Sequence, residues 1–238
     1  MPDSIQAFTF RGEHYLVMAN EGDSREWPGF TEEARIGTLN LDPTAFPNAA
    51  ELKRTNNLGR LTVSRVDGDT DGDGDYDELY SYGARSFSIR RATGDLVYDS
   101  GDELENVTAA LFPTRFNVSN SNNTFDSRSP SKGPEPEGLA LGKVAGRTLA
   151  FVGLERIGGI AVYDVSDPND VGIVSYVNTR NFSGSFNFAT AGDLGPEGVT
   201  FISADNSPNG QPLLVVAHEV SGSTTIFQIN KRSFKREL

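Results

Sequence analysis

Residues 136–155 read PEGLALGKVAGRTLAFVGLE, and residues 196–219 read PEGVTFISADNSPNGQPLLVVAHE. Both begin with proline, glutamate, a small residue and an aliphatic one. Each continues through a strand-like run, a glycine-bearing turn and a second apolar run to a closing glutamate. A third copy opens the chain as PDSIQAFTFRGEHYLVMANE at residues 2–21, with Asp3 in the first acidic position. The separation from acid to glutamate is 18 residues from Asp3 to Glu21 and again 18 from Glu137 to Glu155. It is 22 from Glu197 to Glu219, where the turn over 206–210 is longer. After the closing glutamate, the second and third copies run on into another strand, GIAVYDV from Gly159 and STTIFQI from Ser223. Units of three or four strands that recur as sequence, here at a period of roughly 60 residues, are the signature of propeller blades. Residues 58–101 are expected to form a further blade of different sequence, which makes about four. The expected fold class is therefore all-β, a partial or small β-propeller, with a β-sandwich as the alternative.

Outside the repeats the apolar residues also fall in short β-branched or aromatic runs, at 5–10, 15–19, 61–66, 86–89 and 96–98. Helical periodicity is scarce. The best helical candidates are Thr31 to Arg35 and a short piece within 42–51, where Asp42-Pro43 reads as an N-cap followed by proline at the first helical position. Two stretches, 20–57 and 117–132, read as long loops, which are usually functional or mobile. Residues 1–230 are read as a single domain and 231–238 as a basic tail. Four triplets, at Asn106, Asn117, Asn122 and Asn181, fit the N-glycosylation pattern, which is short enough to arise by chance.

The chain has 238 residues, 37% hydrophobic and 23% charged, with 25 glycines and 12 prolines, a globular composition rich in turn formers. There is no cysteine, and only His14 and His218 could supply imidazole, so disulfides are excluded and structural zinc nearly so. A net charge of −12 repels nucleic acid and anionic membranes. No run of about 18 apolar residues is present to insert into a bilayer. No signal peptide precedes Pro2; because the chain opens directly into strand-like sequence, an internal start is expected. The C-terminal Lys-Arg-Glu-Leu resembles a retention signal only faintly.

Residues 67–78, DGDTDGDGDYDE, hold seven carboxylates in twelve positions, and their mutual repulsion calls for either full solvation or a cation. Spacing favours the cation. Asp67, Asp69 and Asp71 take positions one, three and five of a calcium loop, Gly72 the sharp turn at six, Asp75 position nine and Glu78 position twelve. Asp73 adds a further carboxylate between them. The flanks look like strands and not helices, so the expectation is a Ca²⁺-stapled β-hairpin loop in a calcium-rich compartment. Oxygen-only ligation selects Ca²⁺ over Zn²⁺ or Cu²⁺.

In a propeller, equivalent positions of successive blades converge on one channel. Here those positions are acidic: Asp3, Glu137 and Glu197 at strand starts, Glu21, Glu155 and Glu219 at strand ends. They either form a ring able to hold further cations or act as turn residues bonded to nearby amides. Cations accompany them at Arg25, Arg128, Lys132 and Arg156, which suit a small anionic substrate or simple ion pairing. Glu137, Glu155, Glu197, His218 and Glu219 are the catalytic candidates, with a metal polarising an ester and activating water. No nucleophile elbow, Walker loop or dinucleotide fingerprint is present.

Taken together, NEGDSRE from Asn20, LDPTAFP from Leu41, LGRLTV from Leu58, DTDGDGDYDELY from Asp69, GARSFSI from Gly83, KGPEPEG from Lys132, GLERIGGI from Gly153, GDLGPEG from Gly192 and HEVSGSTTI from His218 resemble the choice-of-anchor I family of secreted bacterial propeller proteins. The resemblance implies a β-propeller, export to the cell surface, extracellular space or periplasm, and relatives labelled alkaline-phosphatase-like or phytase-like. Relatives are about twice as long, so the chain resembles a C-terminal portion, and self-association could complete its ring. The resulting expectation is a secreted calcium-binding propeller that hydrolyses an anionic ester, a phosphoester first. The alternatives are a non-catalytic surface or adhesion module with structural calcium, and, by fold analogy alone, a calcium-dependent lactonase.

Overall fold

A computed structural model describes residues 2–184 and 190–230; the basic tail expected at 231–238 lies outside the described residues. The described chain is all-β, with short helices between strands. Its first sheet pairs β1 (Ile5–Phe10), β2 (Glu13–Ala19), β7 (Phe87–Arg91) and β8 (Leu96–Asp99) in that order. Between β2 and β7 lie the two-residue strands β3 (Glu26–Trp27) and β4 (Phe30–Thr31), then β5 (Glu33–Arg35), which pairs with β6 (Thr62–Ser64). The second sheet is β9 (Pro136–Val144), β10 (Arg147–Leu154), β11 (Ile160–Asp164) and β12 (Gly172–Val177). The third is β13 (Pro196–Ile202), β14 (Leu213–His218) and β15 (Ser223–Gln228). All pairings within these sheets are antiparallel between sequence neighbours, apart from the β2–β7 step across the long insertion. None of the sheets closes on itself. Among the described residues no helix is long and apolar enough to cross a membrane.

Each repeat recognised in the sequence is the first hairpin of one of these three sheets. Alternation along β9, β10 and β11 explains their nearly continuous apolar sequence. Leu139, Ala150, Val152, Leu154, Ala161 and Tyr163 face the first sheet, where they bury Tyr15, Val17, Phe87 and Ile89. Ala140, Leu149, Phe151, Ile160 and Val162 point the opposite way and pack on Leu214 and Val216 of the third sheet. The middle sheet is thus covered on both faces, and a sheet so covered shows no polar stripe. Burying a side chain of this size contributes about 1.5–3 kcal/mol.

The first strands of the sheets meet at the centre. There Gly138 of β9 passes so close to β13 that a Cβ atom would lie 2.2 Å from the Glu197 carbonyl oxygen. Only glycine tolerates that approach.

Three local expectations are corrected. Residues 58–101 do not form a blade of their own: β6 pairs with β5, while β7 and β8 complete the first sheet. Thr31 to Arg35 is extended and not helical, because the buried Glu32 carboxylate is held by the Arg25 backbone amide and guanidinium and β5 pairs with β6. Within 42–51, helix is confined to α1 (Ala49–Leu52), since Asp42 Oδ1 accepts the Thr44 and Ala45 amides in a tight turn. A longer helix, α2 (Glu103–Leu111), stands where none was expected. It inserts Leu104 into the core between the first two sheets.

Candidate functional site

The acids of the repeated hairpins gather where the first strands converge. One carboxylate oxygen each from Asp3, Glu21 and Glu137 lie within 4.8 Å of one another, as do those of Glu21, Glu135 and Glu155. Glu197 and Glu219 are exposed at the rim, where with Asp3, Ser4 and His218 they line an open pocket of about 550 Å³.

Glu135 is the hub. Its side chain is 0% exposed and receives Arg128, Lys132 at 3.3 Å and Arg156 at 2.9 Å. Burial alone would raise its pKa, yet the hydrogen bond from Arg156 and the charges of Arg128, Arg156 and Lys132 pull it down to about 2. Lys132 also reaches Glu21, and Asp23 at 3.3 Å. Three of the four cations expected to bind substrate therefore converge on one carboxylate, with Lys132 shared with Glu21 and Asp23 and Arg156 with Glu155. The fourth, Arg25, lies in a separate bidentate pair with Glu32.

Five carboxylates, from Asp3, Glu21, Glu135, Glu137 and Glu155, face three cations here, an excess of two negative charges. The excess falls on Glu137 and Glu155. Burial, then the charges of Glu21, Asp3, Glu197 and Glu219, push the Glu137 carboxyl up to about 8, and its Oε2 is buried with no hydrogen-bond partner. Burial also pushes Glu155 up to about 9; Arg156 opposes the shift and Glu135, Glu137 and Glu219 add to it. Asn120 donates to Glu155 Oε1 at 2.7 Å and Arg156 reaches the same atom at 2.8 Å. Protons or a divalent cation can neutralise such a pair of acids.

The segment 117–132, expected to be a long functional or mobile loop, wraps this cluster and is tied down. Besides Asn120, Arg128 and Lys132, it is held by the buried Arg180 guanidinium, which donates to the Ser119 carbonyl at 2.8 Å and to Asn123 Oδ1 at 3.0 Å. Burial lowers Arg180 to about 10. His218 is buried, and its Nε2 lies 3.7 Å from Asp193. Burial lowers its pKa, and the charge of Asp193 partly opposes the shift. Asp193 in turn accepts the hydroxyls of Thr179, Ser223 and Thr225.

The acidic loop lies apart, between β6 and β7. Asp69 accepts the Gly72 and Gly74 amides, Asp71 the Asp73 amide and Asp73 the Asp75 amide, so the carboxylates organise their own backbone. Two sets of carboxylate oxygens come within 4.8 Å: Asp69, Asp71 and Asp77, and Asp42, Asp75 and Asp77. Asp77 belongs to both. Asp75 Oδ1 is buried without a hydrogen-bond partner, and burial together with Asp73, Asp42 and Asp77 raises the Asp75 pKa. The expected end ligands are engaged elsewhere, Asp67 by the Ser64 hydroxyl and Glu78 by the Tyr80 hydroxyl.

Sequence reasoning did not select Glu135, Asp42 or Asp77. Asp77 had a signal, being the sixth alternating aspartate of the run. Asp42 arrives through long-range pairing of the Asp42 amide with the Tyr76 carbonyl, which spacing along the chain does not reveal.

Similarity to known proteins agrees with the shared motifs. The chain is 37% identical over 184 residues to gigasin-3a of Magallana gigas, an alignment covering 72% of this chain and 64% of that protein. It is 30% identical over 203 residues to the mesenchyme-specific cell surface glycoprotein of Strongylocentrotus purpuratus, covering 71% of this chain and 26% of that one. The chain thus spans less than two thirds of either relative. No solved structure matches it. The model of the choice-of-anchor I domain matches residues 1–168, and the chain belongs to the choice-of-anchor I family.

Proposed function

We propose that the chain is a propeller module of an exported surface protein, stiffened by Ca²⁺ and serving a binding or adhesive role without catalysis. The observation that carries this reading is the Glu135 hub: Arg128, Lys132 and Arg156 neutralise a buried carboxylate and so act as a cross-link between segments. The name of the sea urchin relative, a cell surface glycoprotein, supports the location. The three meanders, stacked face to face with their first strands together, are the blades. The end faces of the stack, carrying exposed Ile5 and Ile226, take further blades from a longer chain or from a second copy. Calcium sits in the acidic loop around Asp69, Asp71, Asp75 and Asp77, joined by Asp42, and ties the 39–53 segment to the loop.

The test is thermal melting with calcium and with chelator. Calcium should raise the melting temperature, and replacing Asp69 and Asp71 together by asparagine should remove that gain. An unchanged gain defeats the calcium assignment.

A second reading, metal-dependent hydrolysis of an anionic ester, draws on Glu137, an acid near neutrality at the mouth of the central cluster with Asp3, Glu21, Glu197, Glu219 and His218 around it. Assays on p-nitrophenyl phosphate, phytate and an acyl-homoserine lactone, with and without calcium, decide between the two. Background rates throughout support the surface module, and calcium-dependent turnover lost in Glu137→Gln supports the hydrolase.

A further inference from the structure

The four Asn-x-Ser/Thr triplets occupy very different places in the fold. Asn117 is fully buried, takes a left-handed backbone with φ of 43° and donates its amide to Glu105 and Ser129. A glycan on that nitrogen replaces one of its two hydrogens, so at least one of these bonds is lost, and the fully buried side chain leaves it no room. Asn106 is exposed on α2, but the hydroxyl of its partner Thr108 is buried and donates to the Leu104 carbonyl at 2.9 Å. Asn181 is exposed, with its amide donated to the Thr190 carbonyl at 2.8 Å.

Asn122 differs from all three. Asn122 and Thr124 are both exposed, and among the described residues the Asn122 side-chain nitrogen has no hydrogen-bond partner. Its Oδ1 accepts the Thr124 amide at 3.0 Å, which keeps the carboxamide beside the residue that carries the hydroxyl. The neighbouring backbone is fixed: Asn123 donates to the Phe182 carbonyl at 2.7 Å, and Arg180 holds the Ser119 carbonyl. The segment therefore presents this side chain outward from a rigid base.

We propose that Asn122 is the site at which this protein carries an N-linked oligosaccharide. The proposal rests on the reading of the chain as exported. In the transfer, Asn122 Nδ2 attacks the anomeric carbon of an oligosaccharide carried on a lipid pyrophosphate. The N–C bond forms as the C–O bond to pyrophosphate breaks, the lipid pyrophosphate leaves with the bonding electrons, and a proton passes from the nitrogen to a base of the transferase. The glycan stands on the segment that covers the central carboxylates, a bulky hydrophilic group on the outer surface of that cover.

The test expresses the chain through the secretory pathway of an insect cell line and maps occupied sites by mass spectrometry after glycosidase treatment, which leaves aspartate where a glycan was. The expected result is Asn122 occupied and Asn117 vacant, with Thr124→Ala, which keeps the asparagine, losing the glycosidase-sensitive mobility shift. Glycan at Asn117, higher occupancy at Asn106 or Asn181 than at Asn122, or an unmodified Asn122 in folded secreted protein each overturns the proposal. Export itself is read separately, from the location of the protein in its own organism, so a failure of that reading is not confused with a failure at Asn122.

Discussion

Replacing Glu137 by glutamine should make the protein more stable in alkaline solution, the reverse of the usual result for altering a half-buried polar residue. Burial and four neighbouring carboxylates raise Glu137 to about 8 from an ordinary 4.5. An acid held above its unfolded value binds its proton more tightly in the folded chain. Stability is therefore lost as pH climbs from about 4.5 to about 8, and the loss levels off above that. At about 1.4 kcal/mol per pH unit the whole interval corresponds to about 5 kcal/mol. Glu137 is partly open to solvent, and screening reduces the expectation to about 2 kcal/mol. Glutamine has the shape of the protonated acid and cannot ionise. In chelator, Glu137→Gln should match the parent at pH 5 and exceed it by about 2 kcal/mol at pH 9, read from denaturant midpoints across a pH series. Parallel stability curves for the two proteins, or a variant weaker at pH 9, would refute an uncompensated charge at Glu137.

Four other substitutions probe separate parts of the molecule. Asp77→Asn should weaken calcium binding by tenfold or more while Glu78→Gln leaves it nearly unchanged, because Asp77 belongs to both carboxylate sets and Glu78 to neither; calorimetric titration of both variants checks this. Gly138→Ala should cost about 3 kcal/mol or more, since its Cβ would collide with the Glu197 carbonyl oxygen, and a midpoint within error of the parent would show that β9 and β13 separate easily. Glu135→Gly should relieve backbone strain of about 1 kcal/mol yet destabilise by about 2–4 kcal/mol net, because Arg128, Lys132 and Arg156 lose their shared partner; equal denaturant midpoints would refute the hub.

The three repeated hairpins were legible because each opens on proline and an acid, pairs two apolar strands and closes on a glutamate, marks that survive in sequence even where the turn between β13 and β14 lengthens. Strand positions followed from β-branched runs for the same reason. What failed was assignment across long insertions. Nothing local in 58–101 says that β7 will return to β2 over the intervening 20–86 segment, since β2 offers β7 only a free backbone edge. Helix α2 is poorly marked in sequence although Leu104 and Leu111 lie seven residues apart on one side of it. The run between them is interrupted by Asn106, Val107 and Thr108, poor helix formers that here are overruled by docking of Leu104 in the core.

The candidate site shows a sharper division, and Glu135 explains it. Repetition selected Glu137 in Pro-Glu-Gly, because Glu197 and Asp3 stand at the same place in the other copies. Aligned on those copies, Glu135 falls opposite Gly195, each immediately before the proline that opens β9 or β13. Both positions adopt left-handed backbone, with φ of 52° at Glu135 and 70° at Gly195. The second and third sheets both take that conformation at their entry, glycine supplies it without strain, and the third sheet uses glycine. The second sheet instead places a glutamate there against its conformational preference, and the strain is offset by three cations gathered on its buried carboxylate. A search for repeats therefore finds the positions the units share and passes over the one where they differ. In this chain the departure from the repeat, and not the repeat itself, organises the charges at the centre.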